Sequence, residues 1–175
     1  MLKYKYVIIF SISFILLLCI MFIPFRSSIV IEDGNTGKVL AYFPLQQTDR
    51  IFHIKYTHSI HLTDVKETYQ VLEDGTIQQN ELMYEDTAIG MPSNAEYGET
   101  FEIKNGKYYI RNMARDFSNI HMRTAQVVGE HHLEVNNNDF LFSSIVDPGS
   151  LVTIRERKLA LWQIWKGVNI IGGQV

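Results

Sequence analysis

Residues 50–71 read RIFHIKYTHSIHLTDVKETYQV, and the alternation inside this stretch decides the fold class. Phe52, Ile54 and Tyr56 recur at every second position, and His58 follows in the same phase. Val65, Glu67, Tyr69 and Val71 repeat the pattern, with Lys66, Thr68 and Gln70 between them. A period of two marks a strand with one buried face and one wet face. The stretch therefore reads as a hairpin whose inner face is apolar except at His58 and Glu67. With a turn near Leu62 and Thr63, those two side chains stand opposite, about 5 Å apart at Cβ. An inward carboxylate is costly unless it is paired and hydrogen-bonded. His58 is the expected partner of Glu67, with the Ser59 or Thr57 hydroxyl completing its shell. The pair reads first as a structural polar brace. A ligand-pocket mouth and a catalytic site stay open beside that reading.

The same grammar runs through the rest of the chain. DGNTG at 33–37, Asp74-Gly75, Asn105-Gly106, NNND at 136–139 and DPG at 147–149 are turn signals, because such residues tolerate the backbone angles of tight turns. Between them lie segments rich in Val, Ile, Tyr, Phe and Thr: 28–32, 38–44, 50–58, 65–73, 76–84, 99–104, 107–114, 120–128, 131–135, 139–146 and 150–157. Residues 156–168 fit either a final helix or a last strand, and 114–123 are ambiguous in the same way. The expected fold is all-β, an antiparallel sandwich or barrel-like domain.

Residues 6–25, YVIIFSISFILLLCIMFIPF, carry no formal charge over twenty positions. At about 1.5 Å per residue they span a hydrocarbon core of roughly 30 Å as a single transmembrane helix. Lys3 and Lys5 precede the run and Arg26 alone follows it directly, which places the N-terminus in the cytoplasm. No small residues stand before Ser27 for signal cleavage, and Cys19, flanked by Leu18 and Ile20, lacks the surroundings of a lipidated cysteine. Residues 1–26 thus read as an uncleaved signal-anchor in the cell membrane, and 27–175 as an extracytoplasmic β-domain. Cys19 is the only cysteine, so the outer part must hold itself together by a core alone. Beyond Arg26 stand 13 basic and 19 acidic residues, a balance of 13 − 19 = −6. Scattered charge of this sign argues against nucleic acid as a partner, and no dense basic patch points to anionic lipid.

The six histidines lack metal-ligand spacing, and no HExxH or CxxC is present. Ser59 has no Gly-x-Ser-x-Gly elbow, and an adjacent histidine on a strand faces away from it. No catalytic residue, metal or cofactor is expected. Trp162, Ile164 and Trp165 lie beside Lys158 and Lys166; they read as core, as a membrane-interface element, or as a docking surface for a membrane partner.

The pattern aromatic-x-His-Ser, followed by Thr, Val, Glu and an aromatic residue, stands here as Tyr56, His58, Ser59, Thr63, Val65, Glu67 and Tyr69. TAIGMP at 87–92 supplies a Gly-x-Pro segment at Gly90 and Pro92, where Pro92 also reads as closing a strand. Together they resemble the bacterial domain of unknown function 1850, over roughly residues 38–155. Asp64 stands where that family often has proline, and His61 where an acidic residue is common. The resemblance implies a small exported or anchored protein without established activity, often encoded beside TAXI-type TRAP transporters. The expected function is thus a non-enzymatic accessory or interaction protein linked to such a transporter. A small-ligand-binding β-domain with a His58/Glu67 polar site, and an envelope hydrolase or metalloenzyme, are the alternatives.

Overall fold

The computed structural model describes residues 2–46, 50–60, 62–86, 91–127, 129–136, 138–166 and 168–169. Helix α1 (Leu2–Phe22) opens the chain, and its apolar stretch Tyr4–Phe22 is long and apolar enough to cross a membrane. Its apolar side chains are exposed all round, the pattern of a helix whose solvent is lipid.

The strands are β1 (Arg26–Asp33), β2 (Val39–Pro44), β3 (Ile51–Thr57), β4 (Asp64–Val71), β5 (Ile77–Tyr84), β6 (Thr100–Lys104), β7 (Lys107–Phe117), β8 (Ile120–Arg123), β9 (His132–Val135), β10 (Asn138–Leu141), β11 (Leu151–Leu159) and β12 (Val168–Asn169), with helix α2 (Leu161–Lys166) before the last. They form two sheets, ordered β12-β2-β1-β11-β8 and β10-β9-β3-β4-β5-β7-β6. Neighbours are antiparallel except for the short β12–β2 contact. The two separate sheets make a sandwich rather than a closed barrel.

Each segment expected to be extended contributes a strand, and the ambiguous ones resolve for local reasons. Residues 114–123 divide between β7 in the larger sheet and β8 in the smaller, so the chain crosses sheets there. Residues 156–168 are strand and then helix: β11 runs to Leu159, and the Ala160 N–H donates to the Gln163 side chain at 3.0 Å as the helix begins. The 139–146 segment stops early, because a 3-10 turn over Phe142–Ser144 drives Phe142 into the core.

That core lies between the sheets. Ile29, Ile31, Phe43 and Ile154 meet Phe52, Ile54, Tyr69 and Leu133, with the rings of Phe43 and Phe52 edge to face at 6.0 Å. A second cluster, Val65, Leu82, Tyr84, Ile110 and Met113, extends the larger sheet and is covered by Met91 and Ala95. A third, smaller one (Val30, Tyr42 and Leu159) lies on the outer face of the smaller sheet under Ile164 of α2. Phe52 is fully buried at the centre of the main core, whereas Leu62 lies exposed in the hairpin loop. Phe52→Ala is expected to cost about 3–5 kcal/mol by leaving a cavity, and Leu62→Ala less than about 0.5 kcal/mol. Urea unfolding of the detergent-solubilised chain measures both.

Candidate functional site

The β3–β4 hairpin closes earlier than the sequence suggests. The His58 N–H donates to the Thr63 carbonyl at 2.8 Å, and the Leu62 N–H to the His58 carbonyl at 2.9 Å. Leu62 takes a φ of +55° to make the turn. Tyr56 therefore pairs with Val65, Ile54 with Glu67 and Phe52 with Tyr69. The expected juxtaposition of His58 and Glu67 is corrected: Ile54 stands opposite Glu67, and His58 lies beyond the end of β3. Four residues of strand carry about 13 Å, too far for a cross-strand pair. The phase of the two strands is as expected, because an even shift in pairing leaves every side chain on its face. Ser59 is exposed in the loop and does not complete the shell of Glu67. Gly90 and His61 lie outside the described residues.

Glu67 instead finds its donors on its own face. The Tyr69 hydroxyl donates to its Oε2 at 2.7 Å, two residues along the same strand. Tyr56, diagonal to Glu67 across the hairpin, brings a second hydroxyl close enough to lower the pKa of the carboxyl. Burial raises the pKa of Glu67 above the ordinary carboxylate range, and the two hydroxyls offset only part of that. The phenols are pushed upward in turn, first by burial and then by the nearby carboxylate.

Both tyrosines are held from the side. Tyr69 stacks on Phe52 at 5.3 Å and meets Phe117 edge-on at 6.4 Å. Tyr56 stacks on His131 at 5.3 Å. Burial, with His132 nearby, holds the pKa of His131 below its usual value. His131 Nδ1 accepts the Ala125 N–H at 3.3 Å, so the neutral ring carries its proton on Nε2. The loop bearing His131 reaches the hairpin because Gly129 has no side chain. A β-carbon there would stand 2.5 Å from the Thr57 carbonyl oxygen, at a φ of +95°. Pro92 is placed separately: its carbonyl accepts the Tyr84 hydroxyl, and Tyr84 stacks on Tyr108 at 5.4 Å. That contact ties residues 91–95 to β5 beside the hairpin.

The chain carries a second polar group on the opposite face, which the sequence reading passed over. Lys55 and Lys66 are direct cross-strand partners, an arrangement that repels unless a carboxylate intervenes. Glu134 of β9 supplies it, at 2.8 Å from Lys55 and 3.0 Å from Lys66. Burial opposes its ionisation, but the two ammonium groups outweigh burial and draw its pKa down to about 2. His132 and Asp139 pair beside it at 2.8 Å. A depression of about 270 Å³ opens here, lined by Lys55, Lys66, Met83, Glu130, His132 and Asp139. Two lysines facing each other in adjacent strands were the available signal. Among the described residues, no group of three or more acidic, histidine or cysteine side chains is placed to hold a metal.

The model of the domain of unknown function DUF1850 matches residues 52–142, more than half the chain. The chain belongs to that family. The DUF1850 region begins at Phe52 and closes at Phe142, narrower than the resemblance drawn from short motifs. It holds Tyr56, Glu67, Tyr69 and His131 as well as the Lys55–Glu134–Lys66 group. No match to the chain was found among curated proteins or among solved structures.

The two carboxylates respond oppositely to pH. The raised pKa of Glu67 means that the folded chain holds that proton more tightly than the unfolded one. Its contribution is therefore most favourable below the ordinary glutamate value and declines as pH rises through the folded pKa. Glu67→Gln is expected to gain stability relative to wild type as pH is raised above about 4.3. Glu134, with its lowered pKa, stabilises the fold above that range and loses its effect as pH falls toward about 2, so Glu134→Gln should converge on wild type in acid. Urea midpoints across pH 2–8 test both; parallel profiles for wild type and variants would contradict them.

Proposed function

We propose that the protein is a membrane-anchored, non-enzymatic interaction module whose β-domain lies outside the cytoplasm and serves a TAXI-type TRAP transporter as an accessory protein. The observation that carries the reading is the join between helix and sandwich. Residues 23–25 alone separate α1 from β1. The Phe25 N–H donates to the Leu159 carbonyl at 3.2 Å, and the Phe22 ring stands 6.2 Å from that of Trp162. A domain joined this closely to its anchor works against partners at the bilayer surface, since it lacks a flexible linker that would extend its reach. Lys3 and Lys5, in the first turn of α1 at the start of its apolar run, support the outward orientation of the domain.

A non-catalytic role is supported by how Glu67 is used. Its carboxyl group already accepts the Tyr69 hydroxyl, and it does not line the depression formed by Lys55, Lys66 and His132. The transporter link rests on the family resemblance, and the charged outer face of the larger sheet is the surface assigned to the partner.

The test is purification of the tagged full-length chain from native membranes in mild detergent. A transporter membrane subunit or solute-binding subunit is expected to co-purify, and Lys55→Ala with Lys66→Ala to reduce its recovery several-fold. Recovery of the chain without either subunit, from cells producing all of them, would end the accessory reading.

A further inference from the structure

Although the sequence shows no dense basic patch, the fold assembles one beside the anchor. Residues 155–166 contain four basic side chains, Arg155, Arg157, Lys158 and Lys166, and one acidic, Glu156. In β11, Arg155 and Arg157 lie on the outer face of the smaller sheet, opposite Val30 and Ser28 of β1. Both grip Glu32, which is 2 % exposed: Arg155 at 2.7 Å on one oxygen and Arg157 at 2.6 Å on the other. Two guanidinium groups on one carboxylate leave a positive charge over. Lys38 and Lys166 add two more. The facing acid on the β1–β2 turn, Asp33, is engaged by Thr36 through its backbone and hydroxyl. Counting Lys38, Arg155, Arg157 and Lys166 against Glu32 and Asp33, the neighbourhood carries 4 − 2 = +2, in a domain whose balance is otherwise negative.

A cavity of about 470 Å³ lies among these groups, lined by Lys38, Val39, Arg157, Trp162, Gln163 and Lys166. The volume is in the range that holds a small ligand or a headgroup. One wall is apolar and aromatic, and Lys166 sits over the Trp162 ring at 5.6 Å. The same ring meets Phe22 at the end of α1. Around it, Trp165 is 84 % exposed, and Leu161 and Phe25 are exposed too. Trp beside Lys, with free apolar side chains, is the composition that settles at a bilayer interface.

We infer that this cavity is a headgroup site for an anionic phospholipid. The phosphodiester lies among Lys38, Arg157 and Lys166, and the glycerol and upper acyl chain lie against Trp162 and Trp165. Charge complementarity selects an anionic lipid over a zwitterionic one, and the join to α1 selects a lipid over a free anion. The inference rests on the membrane-anchored part of the proposed function and is independent of the transporter.

Both tryptophans of the chain, Trp162 and Trp165, are in α2, so the intrinsic fluorescence reports on this site alone. The full-length chain in neutral detergent is titrated with brominated phosphatidylglycerol or brominated phosphatidylcholine, whose bromines quench nearby tryptophan. Saturable quenching by phosphatidylglycerol is expected, with clear preference over phosphatidylcholine. Lys38→Gln and Lys166→Gln should each weaken that preference by about fivefold. Lysine variants are used because Arg157→Gln would leave Glu32 partly unpaired and could unfold the chain. Equal quenching by the two lipids, or lysine variants indistinguishable from wild type, would overturn the site. Displacement of phosphatidylglycerol by millimolar inorganic phosphate would overturn the lipid assignment in favour of a free anion. Failure of the chain to sediment with membranes would instead sink the anchoring on which the inference rests.

Discussion

A carboxylate on the inner face of a sandwich has to be satisfied from within the molecule, and this requirement organises the hairpin at the centre of the larger sheet. An unpaired buried charge costs several kcal/mol, while a hydrogen bond to a charged group returns about 1.5–3 kcal/mol. Glu67 receives such a bond from Tyr69 beside it, and the Tyr56 hydroxyl across the hairpin favours its ionised form as well. The phenols are then fixed by neighbours from other elements. Tyr69 is held between Phe52 of β3 and Phe117 of β7, and Tyr56 against His131 of the loop before β9. The row that starts at one acidic side chain thus ties four separate segments together. Without a disulfide, those side-chain contacts and the apolar core are what hold the sheets in place.

Much of this architecture was legible in the sequence, and the parts that were not share a physical cause. Alternation reports which face a residue occupies, so the inward positions of Phe52, Ile54, Glu67 and Tyr69 could be read directly. It says nothing about which residues stand opposite, since any even slip preserves the pattern. Register was set by the His58–Thr63 backbone bond and by Leu62 in the left-handed region. Neither has a sequence signature as strong as Asn-Gly, and the expected His58–Glu67 pair failed for that reason. Tyr56 was visible as an inward aromatic residue, but its hydroxyl became a partner of Glu67 only in the observed register. His131 could not be placed from the sequence, because its approach depends on Gly129 lying against a carbonyl more than seventy residues away in the chain. The basic neighbourhood near α2 escaped for a similar reason: Lys38 joins Arg157 and Lys166 only through the β2–β1–β11 order.

The molecule divides its polar residues by location. Those facing inward at Glu67 are consumed by structure. Those on the outer face of the larger sheet, Lys55, Lys66, Glu134, His132 and Asp139, are partly exposed and line an open depression. A third set, at the end of α1, lies where a bilayer surface would meet the domain. This arrangement keeps the polar group at Glu67 within the interior and leaves the other two sets open to solvent.

The central claim is that Glu67 acts as a buried polar brace held by the Tyr69 hydroxyl, and a double-mutant cycle between Glu67→Gln and Tyr69→Phe tests it most directly. The two changes are expected to couple, with an interaction energy within about 0.5–3 kcal/mol, because Tyr69→Phe removes the hydrogen bond to a buried carboxyl only when Glu67 is present. Additive effects, with Tyr69→Phe costing the same in both backgrounds, would contradict the account.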